Sequence, residues 1–523
     1  MIGKRRNARV EEFGDYQTPD YFVDKVCQYV KNELKLDPDI ILEPTFGLGS
    51  FIIGSIKAFE NLKSIFGIEI NKRYFDITKR RIYEIVKDRS IKIQLYNEDI
   101  FVFDFDDIKN YINKNDKLLI IGNPPWVTNS DLGSIDSRNI PLKSNFKGLN
   151  GFDAITGKSN FDIAEYILLH LLHEFKNYNY TIAMLCKSVV ARNILKDLKR
   201  SNIKISDLRF LSFNTEDIFG ISCEAGLLIM KSGNNSRLIC NVYDFDNPID
   251  IKKSFGWVGE YFISDIENYM QSANIDGKCQ YEWRQGIKHD CSKVMELSTK
   301  QPDGTYINGM GDRIIIEDDY VYPLLKSSDI KNVIITSTRK NIIVTQKEIK
   351  EETNSIKDIS PKLWLYLQQH SALLDGRKSS IYKNAPRFSI FGIGDYSFKP
   401  YKVVISGFYK NPLFALVYSK HGRPIMLDDT CYFLGFDNFK EALIVMLILN
   451  SNIVQKFIKS IAFLGSKRPY TKEILMRIDI LKASKNITFD ELVALAMKLH
   501  IEYPFTREDY NNIIRQLSMK SAL

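Results

Sequence analysis

The sequence predicts an α/β fold: a parallel, doubly wound sheet in the N-terminal part, followed by a second part of α+β character. Three observations carry this. Short runs rich in Ile, Leu and Phe alternate with helix-length segments over roughly the first 230 residues, the pattern of strands covered by helices on both faces. Beyond residue 231 that alternation gives way to short β-like runs mixed with helical ones. Charge divides along the same chain: residues 1–330 hold 43 Lys+Arg against 47 Asp+Glu, whereas residues 331–523 hold 29 against 17. A basic second part invites a polyanion.

Seven strands are predicted at 40–43, 64–69, 91–95, 118–122, 180–186, 205–211 and 226–231. Helices are predicted near 20–35, 50–60, 72–87, 161–176 and 188–200, with Ser188 as an N-cap and Thr18-Pro19 as a cap followed by proline at the first helical position. The connection from Trp126 to about Asn160 is long, polar and directly follows a strand end, which marks it as functional. In the second part, 314–317, 333–336 and 402–406 read as strands, and 360–373, 439–457 and 489–499 as helices. These patterns divide the chain into a domain at 1–235, a connecting segment at 236–280 and a second domain at 281–523.

Composition narrows the class. The 523 residues are 44% hydrophobic and 26% charged, a globular profile with enough apolar mass for a sizeable core. Seven cysteines without any Cys-x-x-Cys argue against a zinc cluster and for a reducing cytoplasm. The apolar run 442–449 is far too short to span a membrane, and the basic start is followed by Asn7 and Glu11-Glu12 rather than by a signal-peptide core. His170 and His173 lie three apart on a predicted helix with no third ligand in the pattern, so they read as ordinary helix residues and no metal is expected.

The chemistry concentrates at strand ends. Glu43-Pro44-Thr45-Phe46-Gly47-Leu48-Gly49 leaves the first strand, where glycines admit close approach of a ligand and a carboxylate suits a cationic or hydroxyl-bearing partner. Glu69 ends the second strand, where an acid can accept the hydroxyls of a ribose. Asp99 follows the third, so three acids converge on one crevice edge. After the apolar strand 118–122 comes Asn123-Pro124-Pro125-Trp126. Two prolines stop the ladder and stiffen the turn. Such a turn holds the Asn123 side-chain oxygen and the Pro124 carbonyl as two acceptors with the flat face of Trp126 beside them, a clamp for a planar amine.

With these motifs the chain resembles the S-adenosylmethionine-dependent amino-methylating DNA methyltransferases, in particular the N6-adenine group with cofactor motifs first, then the catalytic motif, then a target-recognition domain. The resemblance implies a Rossmann-like seven-stranded methyltransferase sheet followed by an α+β DNA-recognition domain. It assigns Tyr16, Thr18 and Pro19 to the methionine end of the cofactor, with Glu43, Pro44, Gly47 and Gly49 as the glycine-rich motif. Glu69 becomes the ribose acid, Ile70 the cover of the cofactor's adenine, and Asp99 with Ile100 the adenine contact. Asn123 to Trp126 becomes the catalytic motif, Asn123 also touching the cofactor; the family more often has Tyr or Phe where Trp126 stands. Phe219 resembles a second stacking aromatic. Arg284 and Lys288, and Lys467 and Arg468, fall in stretches similar to recognition domains and are assigned to DNA. The implied partners are double-stranded DNA and a separate cognate restriction endonuclease acting on the same site, with no membrane; the implied enzyme is a cytoplasmic monomer.

The chemistry agrees with that assignment. An exocyclic amine conjugated to its ring is a poor nucleophile, and acceptors at Asn123 and Pro124 taking its two N–H bonds favour the tetrahedral form that attacks a methyl group in line. The base must leave the duplex, and stacking on Trp126 and Phe219 offsets this by roughly 1–3 kcal/mol per base. Competing readings are weaker. No proline is followed by cysteine, which removes cytosine C5 methylation. Cytosine N4 methylation typically has Ser or Thr in place of Asn123. RNA and protein-glutamine methyltransferases share Asn-Pro-Pro-aromatic turns but are usually shorter, and a specificity subunit without catalysis has no use for the clamp. A bifunctional protein with nuclease activity has only Pro19-Asp20 with Glu33-Leu34-Lys35, expected on a helix rather than a strand, and Pro302-Asp303 with Asp329-Ile330-Lys331 at a long spacing. About 15 residues before Tyr16 leave no room for a nuclease domain.

Overall fold

The computed structural model describes residues 16–86, 90–127, 162–234, 237–420, 422–502 and 505–522. Most of the connection from Trp126 to Asn160, and Asn235 and Ser236, lie outside the described residues. The chain forms two units, Met1–Ile266 and Glu267–Leu523.

The first unit is built on β1 (Ile40–Glu43), β2 (Ser64–Ile68), β3 (Lys92–Tyr96), β4 (Leu118–Gly122), β5 (Tyr180–Lys187), β6 (Ile205–Asn214), β7 (Glu224–Ser232), β8 (Ile239–Asp244), β9 (Lys253–Val258) and β10 (Tyr261–Ile263), ordered β10-β9-β8-β6-β7-β5-β4-β1-β2-β3. Strands β1 and β4 are buried along their whole length, as central strands covered on both faces must be. Among the described residues the helices of this unit are α1 (Asp20–Asn32), α2 (Ser50–Ala58), α3 (Lys72–Ile85), α4 (Asp106–Lys109), α5 (Ile163–Glu174), α6 (Ser188–Leu198) and α7 (Thr215–Phe219). Each apolar side chain removed from water contributes roughly 1.5–3 kcal/mol, and Ile41, Phe51, Ile52, Ile65 and Leu119 are among those buried between α1, α2 and the sheet.

Register decides where the loops meet. Glu43 pairs with Gly67 and Leu42 with Ile120, so β1, β2 and β4 end level. From β1 the chain builds outward to β2 and β3 on one side and to β4 and β5 on the other. The crevice at that reversal, outside the carboxyl ends of the strands, is where open α/β sheets bind ligands.

Four sequence readings need correction. The sheet of the first unit has ten strands among the described residues rather than seven, because 239–263, expected to be a connector, forms β8 to β10. The sheet is mixed rather than parallel: β7 runs antiparallel to both β5 and β6. The segment between β6 and β7 is too short for a parallel crossover, which takes a dozen or more residues. Thr18 and Ser188 are not caps: α1 and α6 begin at Asp20 and Ser188 without a side-chain cap, and Thr18 is used in the site below. Helix α1 ends at Asn32, so Glu33 to Lys35 form a turn rather than a helical stretch; neither is a strand.

The second unit has three sheets among the described residues. The five-stranded one runs β11 (Arg284–Gln285), β21 (Cys431–Phe436), β18 (Tyr401–Ser406), β19 (Ala415–Tyr418), β16 (Ile334–Ile335). The four-stranded one runs β12 (Glu296–Ser298), β17 (Lys340–Ile343), β15 (Val321–Leu325), β20 (Met426–Leu427), and β13 (Tyr306–Ile307) pairs with β14 (Arg313–Ile314). The apolar run 442–449 is the wholly buried part of the helix Phe439–Leu449. The expected single helix over 439–457 is broken, because the Asn450 side chain leaves it to bond both the N–H and the carbonyl of Phe414, and a new helix runs Asn452–Ile461. Among the described residues no single helix is long and apolar enough to cross a membrane.

Candidate functional site

A cleft opens at the carboxyl ends of β1, β2 and β4, and Tyr16, Thr18, Glu43, Pro44, Gly47, Glu69, Ile70, Asp99, Ile100, Asn123 and Pro125 line it. Pro19, Gly49, Pro124, Trp126 and Phe219 stand outside that lining.

The turn after β1 needs its glycines. Gly47 and Gly49 have φ of +52° and +74°, a region that L side chains rarely adopt, and a Cβ on Gly49 would stand 2.4 Å from Thr78 Cγ2. Gly47 is then held from two sides: its N–H donates to Glu69 Oε2 at 2.8 Å, and its carbonyl accepts from Thr78 Oγ1 at 3.0 Å. Glu69 Oε1 accepts the N–H of Asn71 at 2.7 Å. Thus the acid picked out for a ribose also organises the glycine turn, and Asn97 closes the arrangement by donating to the carbonyls of Glu69 and Ile70 at 2.8 and 3.1 Å. Ile70, 47% exposed, forms the open lip of the cleft, whereas Ile100 is buried and Asp99 accepts the N–H of Phe101 at 3.0 Å.

Glu43 lies deeper, 2% exposed, with Oε2 accepting the Ile52 N–H in the first turn of α2 at 2.9 Å. Burial pushes its carboxyl well above the usual range; the Ile52 bond opposes this and the nearby Glu69 adds to it. No cation faces it among the described residues.

Asn123 is held by the N-terminal segment. Its Nδ2 donates to the Tyr16 carbonyl at 2.9 Å and to Thr18 Oγ1 at 3.2 Å, while its buried Oδ1 has no hydrogen-bond partner among the described residues. Both amide donors are therefore consumed by the protein and the acceptor is left over. Buried acceptors are nearly always satisfied, and this one stands beside the cleft, within reach of a donor bound there. The expected open face of Trp126 is not found. Trp126 is 5% exposed and closed into an aromatic triangle, 5.2 Å from Phe219 in a T-shaped contact and 6.1 Å from Tyr16, with Tyr16 and Phe219 6.3 Å apart. The apolar setting that surrounds the turn explains this, since an indole at the rim of a core gains more from rings than from water.

Sequence reading missed the supports. Asn71 caps α3 through the N–H groups of Arg73 and Tyr74, a role visible from Asn before a helical run. Gln17, which accepts the Leu48 N–H at 3.3 Å, and Lys187, whose Nζ meets the Trp126 carbonyl, left no signal because their partners are distant in sequence. His170 packs its ring against Phe105 and Tyr166.

The residues assigned to DNA occupy different environments. Arg284 pairs with Glu282 and lies over Tyr396 at 4.7 Å, and Arg468 donates to the Asp429 carbonyl and carboxylate at 3.1 and 3.2 Å. Both guanidinium groups are thus engaged within the protein, as the bare sequence did not anticipate. Lys288 lies 3.5 Å from Asp290, and Lys467 is exposed.

No family model matches the sequence. The chain is 41% identical over 474 residues to the type II methyltransferase M.NspV of Nostoc sp. (strain ATCC 29411 / PCC 7524), covering 90% of this chain and 96% of that one. This chain belongs to the type II methyltransferases. Among solved structures, that of the type IIL restriction-modification enzyme MmeI in complex with DNA matches with a TM-score of 0.58 at 13% identity over 99% of this chain and 80% of that one, a likeness of fold. A type I restriction-modification methyltransferase subunit from Streptococcus thermophilus matches with a TM-score of 0.32 at 17% identity over 45% of this chain and 47% of that one. The cofactor of this type II methyltransferase is S-adenosylmethionine, which supplies an electrophilic methyl group on a cationic sulfur. The cleft fits it: a buried carboxyl that faces no cation among the described residues suits a ligand bearing an ammonium and a sulfonium, and an acid at the end of β2 suits its ribose.

Proposed function

We propose that this type II methyltransferase is a site-specific DNA adenine N6-methyltransferase that modifies an adenine extruded from duplex DNA and protects host DNA in a restriction-modification system. The observation that carries the reading is the Asn123 amide, whose donors are consumed by Tyr16 and Thr18 and whose oxygen is left as a fixed acceptor. Such an oxygen takes one N–H of the amine, and the Pro124 carbonyl takes the other. Withdrawing both N–H bonds from the ring plane localises the nitrogen lone pair, and since the acceptors are fixed beforehand no reorganisation is needed in the transition state. Tyr16, Thr18 and Pro19 would then border the methionine end of the cofactor, Glu43 its cationic groups, Glu69 its ribose, and Ile70, Asp99 and Ile100 its adenine.

Extrusion sets a price in the aromatic triangle. A base that stacks on Trp126 must part it from Tyr16 or Phe219, losing a ring contact worth about 0.5–1.5 kcal/mol, while base stacking returns about 1–3 kcal/mol. That return is shared between opening the triangle and offsetting the loss of stacking in the duplex, and in this reading the triangle is the closed resting form of the base pocket. The second unit supplies duplex affinity and sequence choice: residues 331–523 carry an excess of 12 cationic side chains. In this reading Lys467 and Lys288 touch the duplex, and Arg284 and Arg468 shape the surface that bears them. The enzyme acts as a cytoplasmic monomer beside a separate endonuclease of the same specificity.

Asn at position 123 favours adenine over cytosine N4, where Ser or Thr is usual. Sequencing of modified bases in DNA incubated with the protein and S-adenosylmethionine tests this directly. N6-methyladenine in one sequence context is the expected product, and N4-methylcytosine would overturn the assignment.

A further inference from the structure

The turn Asn123 to Trp126 has two ends, and they are held differently. Asn123 is tied by its side chain to the N-terminal segment. In the middle stand two prolines, which have no N–H and so cannot anchor the turn by donating to the rest of the protein. The far end is anchored by a donor from elsewhere: Lys187 Nζ, at the end of β5, donates to the Trp126 carbonyl at 2.9 Å.

The same ammonium donates to Asp162 Oδ2 at 2.9 Å, and the Asp162 side chain is 6% exposed against 25% for Lys187. Asp162 gives its other oxygen to the Ala164 N–H at 3.1 Å, capping α5, and the N–H of Ile163 between them donates to the Val127 carbonyl at 3.0 Å. One cation therefore joins three pieces of main chain: the end of β5, the last residue of the turn and the start of α5. A charged donor holds a carbonyl more strongly than a neutral one, and a strand end is a stiffer mount than a loop.

We propose that Lys187 is a positioning residue for methyl transfer: by holding the Trp126 carbonyl it sets the plane and reach of the turn that carries the Asn123 and Pro124 acceptors. The proposal rests on the clamp reading above. Its consequence is specific. Loss of the ammonium leaves the cofactor side of the cleft intact, because Glu43, Glu69 and Asp99 are held by β1, β2 and the N–H groups near them. It moves Trp126, and with it the acceptors, away from the geometry that transfer requires.

The test uses the full chain and two readouts. The first is the 19F resonance of 5-fluorotryptophan at position 126, identified among the four tryptophans by its loss in Trp126→Phe. The second is the single-turnover rate of labelled methyl incorporation into duplex DNA at saturating S-adenosylmethionine. Lys187→Met should shift the Trp126 resonance and slow transfer about ten- to a hundred-fold, with calorimetric affinity for S-adenosylmethionine kept within about two-fold. Lys187→Arg, which keeps a cation facing Asp162 and a donor for the carbonyl, should recover most of the loss. Asp162→Asn keeps the cap on α5 and removes the ion pair; it should slow transfer about three- to ten-fold and serves if the Met variant does not fold. An unchanged rate, or a rate that falls only in step with cofactor affinity and melting temperature, overturns the proposal. Incorporation is counted whichever base receives the label, so a failure of the adenine reading shows in the wild-type product and a failure of the Lys187 proposal in the variant rates.

Discussion

Two glutamates, one in each unit, are nearly equally buried and oppositely disposed. Glu43 is 2% exposed and Glu296, on β12, is 3% exposed. Burial works to raise both. For Glu296 it is outweighed by His289, Lys326 and Lys340, the two lysines at 2.5 and 2.6 Å, which hold the carboxyl far below its usual range. For Glu43 one N–H opposes burial and loses. An acid with its counter-charges built in is finished architecture, whereas one that faces no cation among the described residues is suited to a cationic ligand. The same contrast separates Asn123, with an open acceptor, from Arg468, whose guanidinium is occupied by Asp429.

The contrast is sharpened most by removing the open acceptor. Asn123→Ala should lower single-turnover methylation at saturating S-adenosylmethionine by about 10²–10³, the cost of one preorganised partner at about 3–4 kcal/mol, with a much smaller change in cofactor affinity from the freed Tyr16 and Thr18. Turnover near wild type would show that the unpartnered oxygen has no chemical use.

Next in size is Glu69→Ala. Since Glu69 organises Gly47 and Asn71 as well as facing the cleft, about 1.5–3 kcal/mol of cofactor affinity should be lost, a rise of roughly 10- to 150-fold in the calorimetric Kd. An unchanged Kd would remove Glu69 from the cofactor site.

The two buried glutamates should respond to pH with opposite signs. Glu296 has a lowered folded pKa, so its contribution to stability is present above the unfolded value near 4.3 and is lost as pH falls through the acid range below it. Glu296→Gln should cost about 1–3 kcal/mol at neutral pH, the low side of a broken buried pair because Lys326 and Lys340 are partly in water. Glu43 has a raised folded pKa, so its contribution is full below the unfolded value and is lost as pH rises through the folded one. Glu43→Gln should therefore stabilise the cofactor-free protein at high pH, on the order of 1 kcal/mol, while weakening S-adenosylmethionine. Titration calorimetry in buffers of different ionisation enthalpy should show a proton linkage on cofactor binding that differs between the wild type and Glu43→Gln, since a cation beside the buried carboxyl favours its ionised form. Melting curves in which both variants shift in the same direction at high pH would break the comparison.

The smallest effect expected is at Lys467. Its ammonium is exposed, and its loss should weaken all DNA sequences alike and flatten the salt dependence of binding by about one unit of slope. Arg468→Ala should instead lower the melting temperature, because it leaves the Asp429 contacts and the stack on Phe408 unmade. If both variants change only DNA affinity, the division between surface and framework cations fails.

The strands that carry the site were legible because burial on both faces forces unbroken apolar runs: 40–43 and 118–122 match their predicted limits to the residue. Strands β8 to β10 were not, since short half-buried strands at a sheet edge leave only weak alternation in the sequence. The break at Asn450 was equally invisible, because its cause is the backbone of Phe414, far away in the chain.

By itself the sequence determined the residue types at the strand ends and their order: a glycine turn after Glu43, an acid at 69, another at 99 and the Asn-Pro-Pro-Trp turn at 123. These follow from local demands, since only glycine tolerates φ near +74° there and only proline so stiffens a turn. Tertiary structure alone decided which functional groups remain available. It spent the Asn123 donors on Tyr16 and Thr18, closed Trp126 among rings, occupied Arg468 with Asp429 and, among the described residues, left the Asn123 oxygen open and Glu43 without a cation. Hydrogen-bond and charge partners are set by which segments the packed sheet brings within about 3 Å, and residues a hundred positions apart carry no local trace of that meeting.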